Sequence, residues 1–153
     1  MNVVALLTGR GNNTLKDKNI LPVLGHPLIS YPANAAKNTE LVRYFYVSSD
    51  DDKILDIACN LGYKKIKRPN ELAIPTAKHI DAILHAVEFM NKHDNLRPDI
   101  LIVLLANSVT LKSEWIERGI RQIINDPSIT SVVPVYQDQD HHPYRAKRLN
   151  ENG

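Results

Sequence analysis

The sequence predicts an α/β domain: an open, mostly parallel sheet with helices on both faces. Three observations predict it. Short apolar runs alternate with segments of helical spacing along most of the chain, which is the pattern of repeated strand–helix–strand units. The first run, residues 2–8, has no polar face and ends at Gly9, as a central strand covered on both sides requires. A long irregular segment bearing Gly9 and Gly11 follows it. In open α/β sheets, ligands bind at the carboxyl ends of the strands, and a long loop there is usually functional.

Each element has its own warrant. No helix is expected before about Leu28, because Pro22, Gly25 and Pro27 interrupt the stretch. Gly25-His-Pro27-Leu28 reads as a turn and helix start, with Pro27 near the first helical position. Residues 28–37 then have helical spacing. Residues 44–48 read as a strand, and Ser49 or Asp50 can cap a helix over 53–61 that Gly62 ends. Residues 64–68 form a short strand leading to Pro69. A longer helix starts at Thr76 or Ala77 and runs to about Lys92, with Ile80, Ile83, Leu84, Val87, Phe89 and Met90 marking its inner side. Residues 99–105 are the most apolar run, and so another central strand. Ser113 caps a helix to about Asn125, closed by Asp126-Pro127, and residues 130–135 read as a further strand.

Composition narrows the function classes. A chain of 153 residues with 43% apolar content is one domain with a real core, not a disordered segment. A net charge of +2 is too small to imply a nucleic-acid partner. One cysteine, Cys59, excludes an internal disulfide and a thiolate cluster; its helical setting suits a buried, inert thiol. The first residues have no basic leader region, and no apolar run approaches the ~18 residues of a spanning helix. No membrane partner and a cytoplasmic setting are therefore expected.

The loop after the first strand suits a polyphosphate, through backbone N–H groups near the glycines and the charges of Arg10, Lys16 and Lys18. It is not a dinucleotide fingerprint, since Thr14 stands where a third glycine belongs, and no Gly-Lys-Ser/Thr marks a P-loop. Asp50-Asp51-Asp52 reads as a helix cap and first turn rather than a Mg²⁺ site. His79 and His85 are six apart on a helix, and His141-His142 are adjacent, so no zinc site is expected.

The stretch "ALLTGRGNNTLKDKNILPVLGHPLI" resembles the start of the acylneuraminate cytidylyltransferases, or CMP-sialic acid synthetases. The resemblance continues through "VSSDDDKI", "LGYKKIKRPNELA", "TAKHIDAILHA" and "HHPYRA". It implies a three-layer Rossmann-like fold of the nucleotide-diphospho-sugar transferase type. It also implies a cytidylyltransferase that joins CMP from CTP to a 2-keto-3-deoxy sugar acid and releases pyrophosphate. The alternatives are a related nucleotidyltransferase with another sugar or nucleotide, and a non-catalytic binding domain.

By the same resemblance, Arg10 and Lys18 contact the phosphates within a cradle of Gly9, Gly11, Asn12 and Asn13, with Lys16 in the role of a family lysine. Asn19 lies near the nucleotide, or is a turn asparagine. Arg68 sits near base and ribose with backbone around Ala77, or pairs with Glu71. His79 stands where the family has a serine, and Ala106 where it has a substrate-contacting glutamine. Asn107 or Ser108 substitutes for that glutamine, and Arg145 or Lys147 meets the sugar carboxylate. Family members are longer, so the chain reads as an N-terminal portion, with Mg²⁺ implied, its aspartate ligands beyond Gly153, and a homodimer in the full protein.

Overall fold

The computed structural model describes residues 1–11 and 14–135. Asn12, Asn13 and Arg145 lie outside the described residues, as do His141, His142 and Lys147.

A four-stranded parallel sheet forms the centre. Its strands are β1 (Val3–Thr8), β4 (Tyr44–Ser49), β5 (Lys64–Lys67) and β6 (Ile100–Leu105), in the order β5-β4-β1-β6. Between β1 and β4 lie a 3₁₀ turn (Lys18–Ile20) and a small antiparallel pair, β2 (Pro22–Val23) and β3 (His26–Pro27). The helices are α1 (Ser30–Lys37), α2 (Asp52–Asn60), α3 (His79–Asp94) and α4 (Ser113–Asn125). Every residue of β1 is buried, which accounts for the lack of a polar face in that run.

The sheet separates two apolar clusters. On one face Val3, Ala5 and Leu7 pack with α1, α2 and α4 through Ala33, Ala36, Ile54, Leu55, Ala58, Ile116 and Ile120. On the other, Val4 and Leu6 pack with Ala86 and Met90 of α3. Alternate residues of one strand thus feed opposite layers. Tyr63, 2% exposed, ties the first layer together: its hydroxyl donates to Ala33 O at 3.0 Å. Gly62 ends α2 with φ +87°, a conformation that side chains resist. On the α3 side, Tyr46 donates to Asp94 at 2.7 Å, and Lys64 pairs with the same carboxylate. Hydrogen bonds from Lys64 and then Tyr46 hold the Asp94 carboxyl below the ordinary range.

Several expectations are corrected. Residues 130–135 are not a strand; Val133 and Val135 are exposed, and β6 ends the sheet among the described residues. An apolar run becomes a strand only where an edge is available and taken. Among the described residues the most apolar run, β6, is therefore an edge strand, where a central one was expected. Ile80 and Leu84 face solvent, at 52% and 59% exposure, because the buried stripe of the helix is Ala82, Ala86 and Met90, with Ile83 and Phe89 beside it. Cys59 is exposed, one position around the helix from buried Ala58. The cap of α2 is Asp51, which accepts from Lys53 N at 2.8 Å, not Ser49 or Asp50. Pro27 belongs to β3, and α1 starts only at Ser30. The long helix starts at His79, after the turn that spans Ile74 to Ala77. Ser113 is the first residue of α4 and supplies no cap.

Tyr63→Phe keeps the ring and leaves Ala33 O without its buried donor. The expected loss is about 1 kcal/mol of unfolding free energy. Urea denaturation of the two proteins would measure it, and an unchanged midpoint would remove this bond from the account of the core.

Candidate functional site

The carboxyl ends of β1, β4 and β6 meet at one level. Thr8 lies opposite Ser48 on one side and Leu105 on the other. The bonds continue one residue further, from Gly9 N to Ser48 O at 3.2 Å and from Ala106 N to Thr8 O at 2.9 Å. The loop leaving β1 must therefore start in the crevice between its neighbours, which is where ligands bind in such sheets.

The loop is pinned at several points. Gly11 N donates to Asp50 Oδ1 at 3.1 Å. Asn19, 5% exposed, donates from Nδ2 to Arg10 O at 2.9 Å, while its own carbonyl accepts from Ile29 N. Lys53 pairs with Asp17 at 3.5 Å. Close packing explains the glycines. A Cβ on Gly11 would lie 2.7 Å from Asp51 Cβ, and one on Gly9 would lie 3.1 Å from Ala106 Cβ.

Between this loop and the turn before α3 opens a cleft of about 690 Å³, counting space continuous with solvent. Four cationic side chains line it: Arg10, Lys18, Arg68 and Lys78. Among the described residues, no Asp or Glu does. Gly9, Asn19, Ala77, His79 and Asn107 line it as well. Leu72 and Ile74 supply an apolar wall, and Thr8, Ala82, Leu105 and Ala106 complete it.

The cations are placed differently. Arg10 donates from Nη1 to Ile74 O at 3.1 Å, which joins the loop to the opposite wall. Lys18, in the 3₁₀ turn, is half-buried, with no carboxylate within ion-pair distance among the described residues. Arg68 is 5% exposed and spends Nε and Nη2 on Ser48 Oγ and Ser48 O, at 3.2 and 2.8 Å. It does not pair with Glu71. Burial lowers the tendency of its guanidinium to stay charged; Asp50 opposes that effect and Arg10 adds to it. Arginine keeps its proton nonetheless, so a buried positive charge faces the cleft with only partial compensation. Such a wall suits an anionic or acceptor-rich ligand.

His79 begins α3 and reaches back to β1, with Nε2 3.0 Å from Thr8 Oγ1. Burial, and then the charge of Arg68, lower the affinity of its ring for a proton.

Other expected residues fall elsewhere. Gly11 packs on Asp51 beside the cleft, Lys16 is exposed outside its lining, and Ser108 sits in the turn after β6 with its N–H on Leu105 O. Ala106 is 2% exposed beneath the loop, and its neighbour Asn107 is the exposed residue at that strand end. The three aspartates do not converge. Asp50 holds Gly11, Asp51 caps α2 and Asp52 pairs with Lys67 at 2.5 Å. No group of three acidic, histidine or cysteine side chains suited to a metal occurs among the described residues. These residues therefore do not fit a Mg²⁺ site.

Sequence reasoning missed Thr8, Lys78 and the Leu72–Ile74 wall. The available signal for that wall was Pro69, which cannot continue the β5 ladder and stands, with extended backbone, directly before the short 3₁₀ turn Asn70–Leu72.

Fold and cleft together define a class: an α/β domain with a cationic ligand cleft at the carboxyl edge of a parallel sheet. The chain matches the model of the cytidylyltransferase family over residues 9–151. It belongs to that family. It is similar to the pseudaminic acid cytidylyltransferase of Campylobacter jejuni subsp. jejuni serotype O:2, with 27% identity over 93% of this chain and 60% of that protein. It is also 26% identical, over all of this chain and 29% of the other, to a Helicobacter pylori protein. That protein is described as a pseudaminic acid cytidylyltransferase and UDP-2,4-diacetamido-2,4,6-trideoxy-beta-L-altropyranose hydrolase. The structure of CMP:2-keto-3-deoxy-manno-octonic acid synthetase complexed with CTP shares the fold, with a TM-score of 0.69 at 22% identity. That match covers 84% of this chain and 50% of the other. The chain thus spans 60% or less of the length of each of these relatives. Among the described residues, no helix is long and apolar enough to cross a membrane.

Two outcomes follow from the packing and charge of this site. Gly11→Ala forces its new carbon into Asp51, so it should lose about 1–3 kcal/mol of stability, more than Gly9→Ala. The reverse order in urea denaturation would show that the loop can re-seat around Asp51. For His79, protonation is disfavoured in the folded chain relative to its ordinary value of 6.5. The unfolded chain then binds more protons in acid, so His79 favours folding fully above that value and progressively less below it. The stability difference between wild type and His79→Gln should be flat above it and turn against wild type as the pH falls. A pH-independent difference would contradict this.

Proposed function

We propose that the full protein is a cytidylyltransferase that transfers CMP from CTP to a 2-keto-3-deoxy sugar acid of the sialic or pseudaminic acid type. The observation that carries this reading is the cleft itself: four cations and, among the described residues, no carboxylate in its lining, at the carboxyl edge of the sheet. Family membership supports the nucleotide, and the sugar-acid class is supported by the names of the similar proteins.

In this reading the triphosphate lies along the loop after β1. Arg10 and Lys18 neutralise it, and Lys18 offers a point charge to the departing pyrophosphate. Arg68 and the backbone around Ala77 hold the nucleoside end. Asn107, exposed at the end of β6, faces the acceptor. The acceptor's anomeric hydroxyl oxygen forms a bond to the α-phosphorus as the bond from that phosphorus to the pyrophosphate oxygen breaks. Such chemistry needs positioning and charge neutralisation more than covalent catalysis. Mg²⁺ and a homodimer remain part of the proposal for the whole protein. The metal's ligands are assigned to residues outside those described.

The test is calorimetric titration of this chain with CTP, ATP, GTP and UTP. CTP should bind, and Arg10→Ala or Lys18→Ala should weaken it at least about tenfold, as expected for loss of a charge-assisted phosphate contact. In a longer protein supplied with Mg²⁺ and sugar acid, Lys18→Ala should slow pyrophosphate release. Tight CTP binding unaffected by both substitutions would mean that the phosphates lie elsewhere.

A further inference from the structure

His79 has a chemistry that its position in the cleft does not reveal by itself. Thr8 Oγ1 lies 3.1 Å from Leu104 O and 3.0 Å from His79 Nε2. A carbonyl oxygen can only accept, and a hydroxyl carries one proton. The Thr8 proton therefore goes to Leu104 O, and Thr8 Oγ1 accepts from His79 Nε2–H. In the neutral ring this fixes the tautomer, with the proton on Nε2 and a lone pair on Nδ1. Among the described residues Nε2 has Thr8 as its partner, and Nδ1 has no hydrogen-bond partner. Burial, and then the neighbouring charge of Arg68, favour the neutral ring. A neutral ring whose one N–H is committed cannot donate to a phosphate, so His79 is not a fifth phosphate cation. It can only accept.

Arg68 is the complementary half. Its Nε and Nη2 are held by Ser48, and its Nη1 has no partner among the described residues. The cleft therefore has a fixed donor and a fixed acceptor near each other in its lining. Cytosine has on one edge an exocyclic amino donor next to a ring nitrogen and a carbonyl, both acceptors. Uracil has a carbonyl oxygen in place of the amino group and an N–H in place of the ring acceptor. It would turn an oxygen lone pair toward Nδ1 and a donor toward the guanidinium. Leaving both protein groups unpaired or opposed is the strongest discrimination a polar site can offer.

We propose that His79 is a specificity-determining residue that accepts a hydrogen bond at Nδ1 from the nucleobase amino group and so selects cytosine over uracil, with Thr8 as the positioning residue that sets its tautomer. This rests on the nucleotide reading above. It does not distinguish CTP from ATP, whose base also places an amino donor beside a ring acceptor. UTP, which differs from CTP only at that edge, is the right probe.

The experiment joins ¹⁵N-imidazole NMR of the chain with calorimetric titration of CTP and UTP. The free protein should show His79 protonated at Nε2 and unprotonated at Nδ1, and CTP should shift the Nδ1 signal. CTP should bind at least about tenfold more tightly than UTP. Thr8→Val keeps the shape but removes the acceptor for Nε2–H, so it should populate the other tautomer and bring the two affinities within about threefold. His79→Leu should weaken CTP and leave UTP unchanged; it also decides the matter if the Thr8 variant does not fold. A proton on Nδ1 in the free protein, or an equal loss of both nucleotides in His79→Leu, overturns the proposal. Equal affinity of the wild type for CTP and UTP overturns it and leaves the nucleotide reading standing. Absence of binding by every nucleoside triphosphate overturns both.

Discussion

The parallel pairing of β1 between β4 and β6 is the constraint on which the rest of this structure depends. Because the register aligns Thr8 with both Ser48 and Leu105, three strands end at one level. Their three following segments must then share one crevice. Arg10 and Lys18 come from the first segment, Arg68 lies beyond the strand next to β4, and Asn107 follows β6. Residues separated by almost a hundred positions thereby face one cleft. A slip of one residue in either pairing would exchange the faces of a whole strand and scatter them.

Buried polar groups then hold the crevice open in one shape. Ser48 receives two donors from Arg68, Asn19 donates to the Arg10 carbonyl, and Thr8 joins His79 to Leu104. Each is a buried group that loses much more when unpartnered than it gains when paired. The cost of misplacing any one of them is a better explanation of a defined loop than the strength of any single bond. The close approaches of Gly9 to Ala106 and Gly11 to Asp51 act in the same direction, since side chains there would push the loop away from the sheet.

The sequence and the tertiary structure divide the work unevenly. Strand and helix positions in the first two-thirds of the chain were legible, because an apolar run with no polar face has few alternatives and Gly62 stops a helix by backbone geometry alone. The cationic, glycine-bearing character of the loop after β1 was legible for the same local reason: its charges and glycines are adjacent in sequence. Residues 130–135 were not legible, since a strand is defined by its neighbour and no local pattern says whether an edge is taken. Exposure of Cys59, Ile80 and Leu84 was not legible either. Which stripe of an amphipathic helix meets a sheet depends on how the helix is docked.

By itself, then, the sequence determined the α/β class, the buried first strand and the presence of Arg10 and Lys18 in a glycine-bearing loop, all of which depend on neighbours along the chain. Only the tertiary structure decided that Arg68 is buried on Ser48, that the aspartates of 50–52 are occupied by Gly11, the helix start and Lys67, and that His79 meets Thr8. Those facts depend on contacts across tens of residues, and the energy of a buried hydrogen bond or charge is set by what surrounds it rather than by what precedes it in the chain.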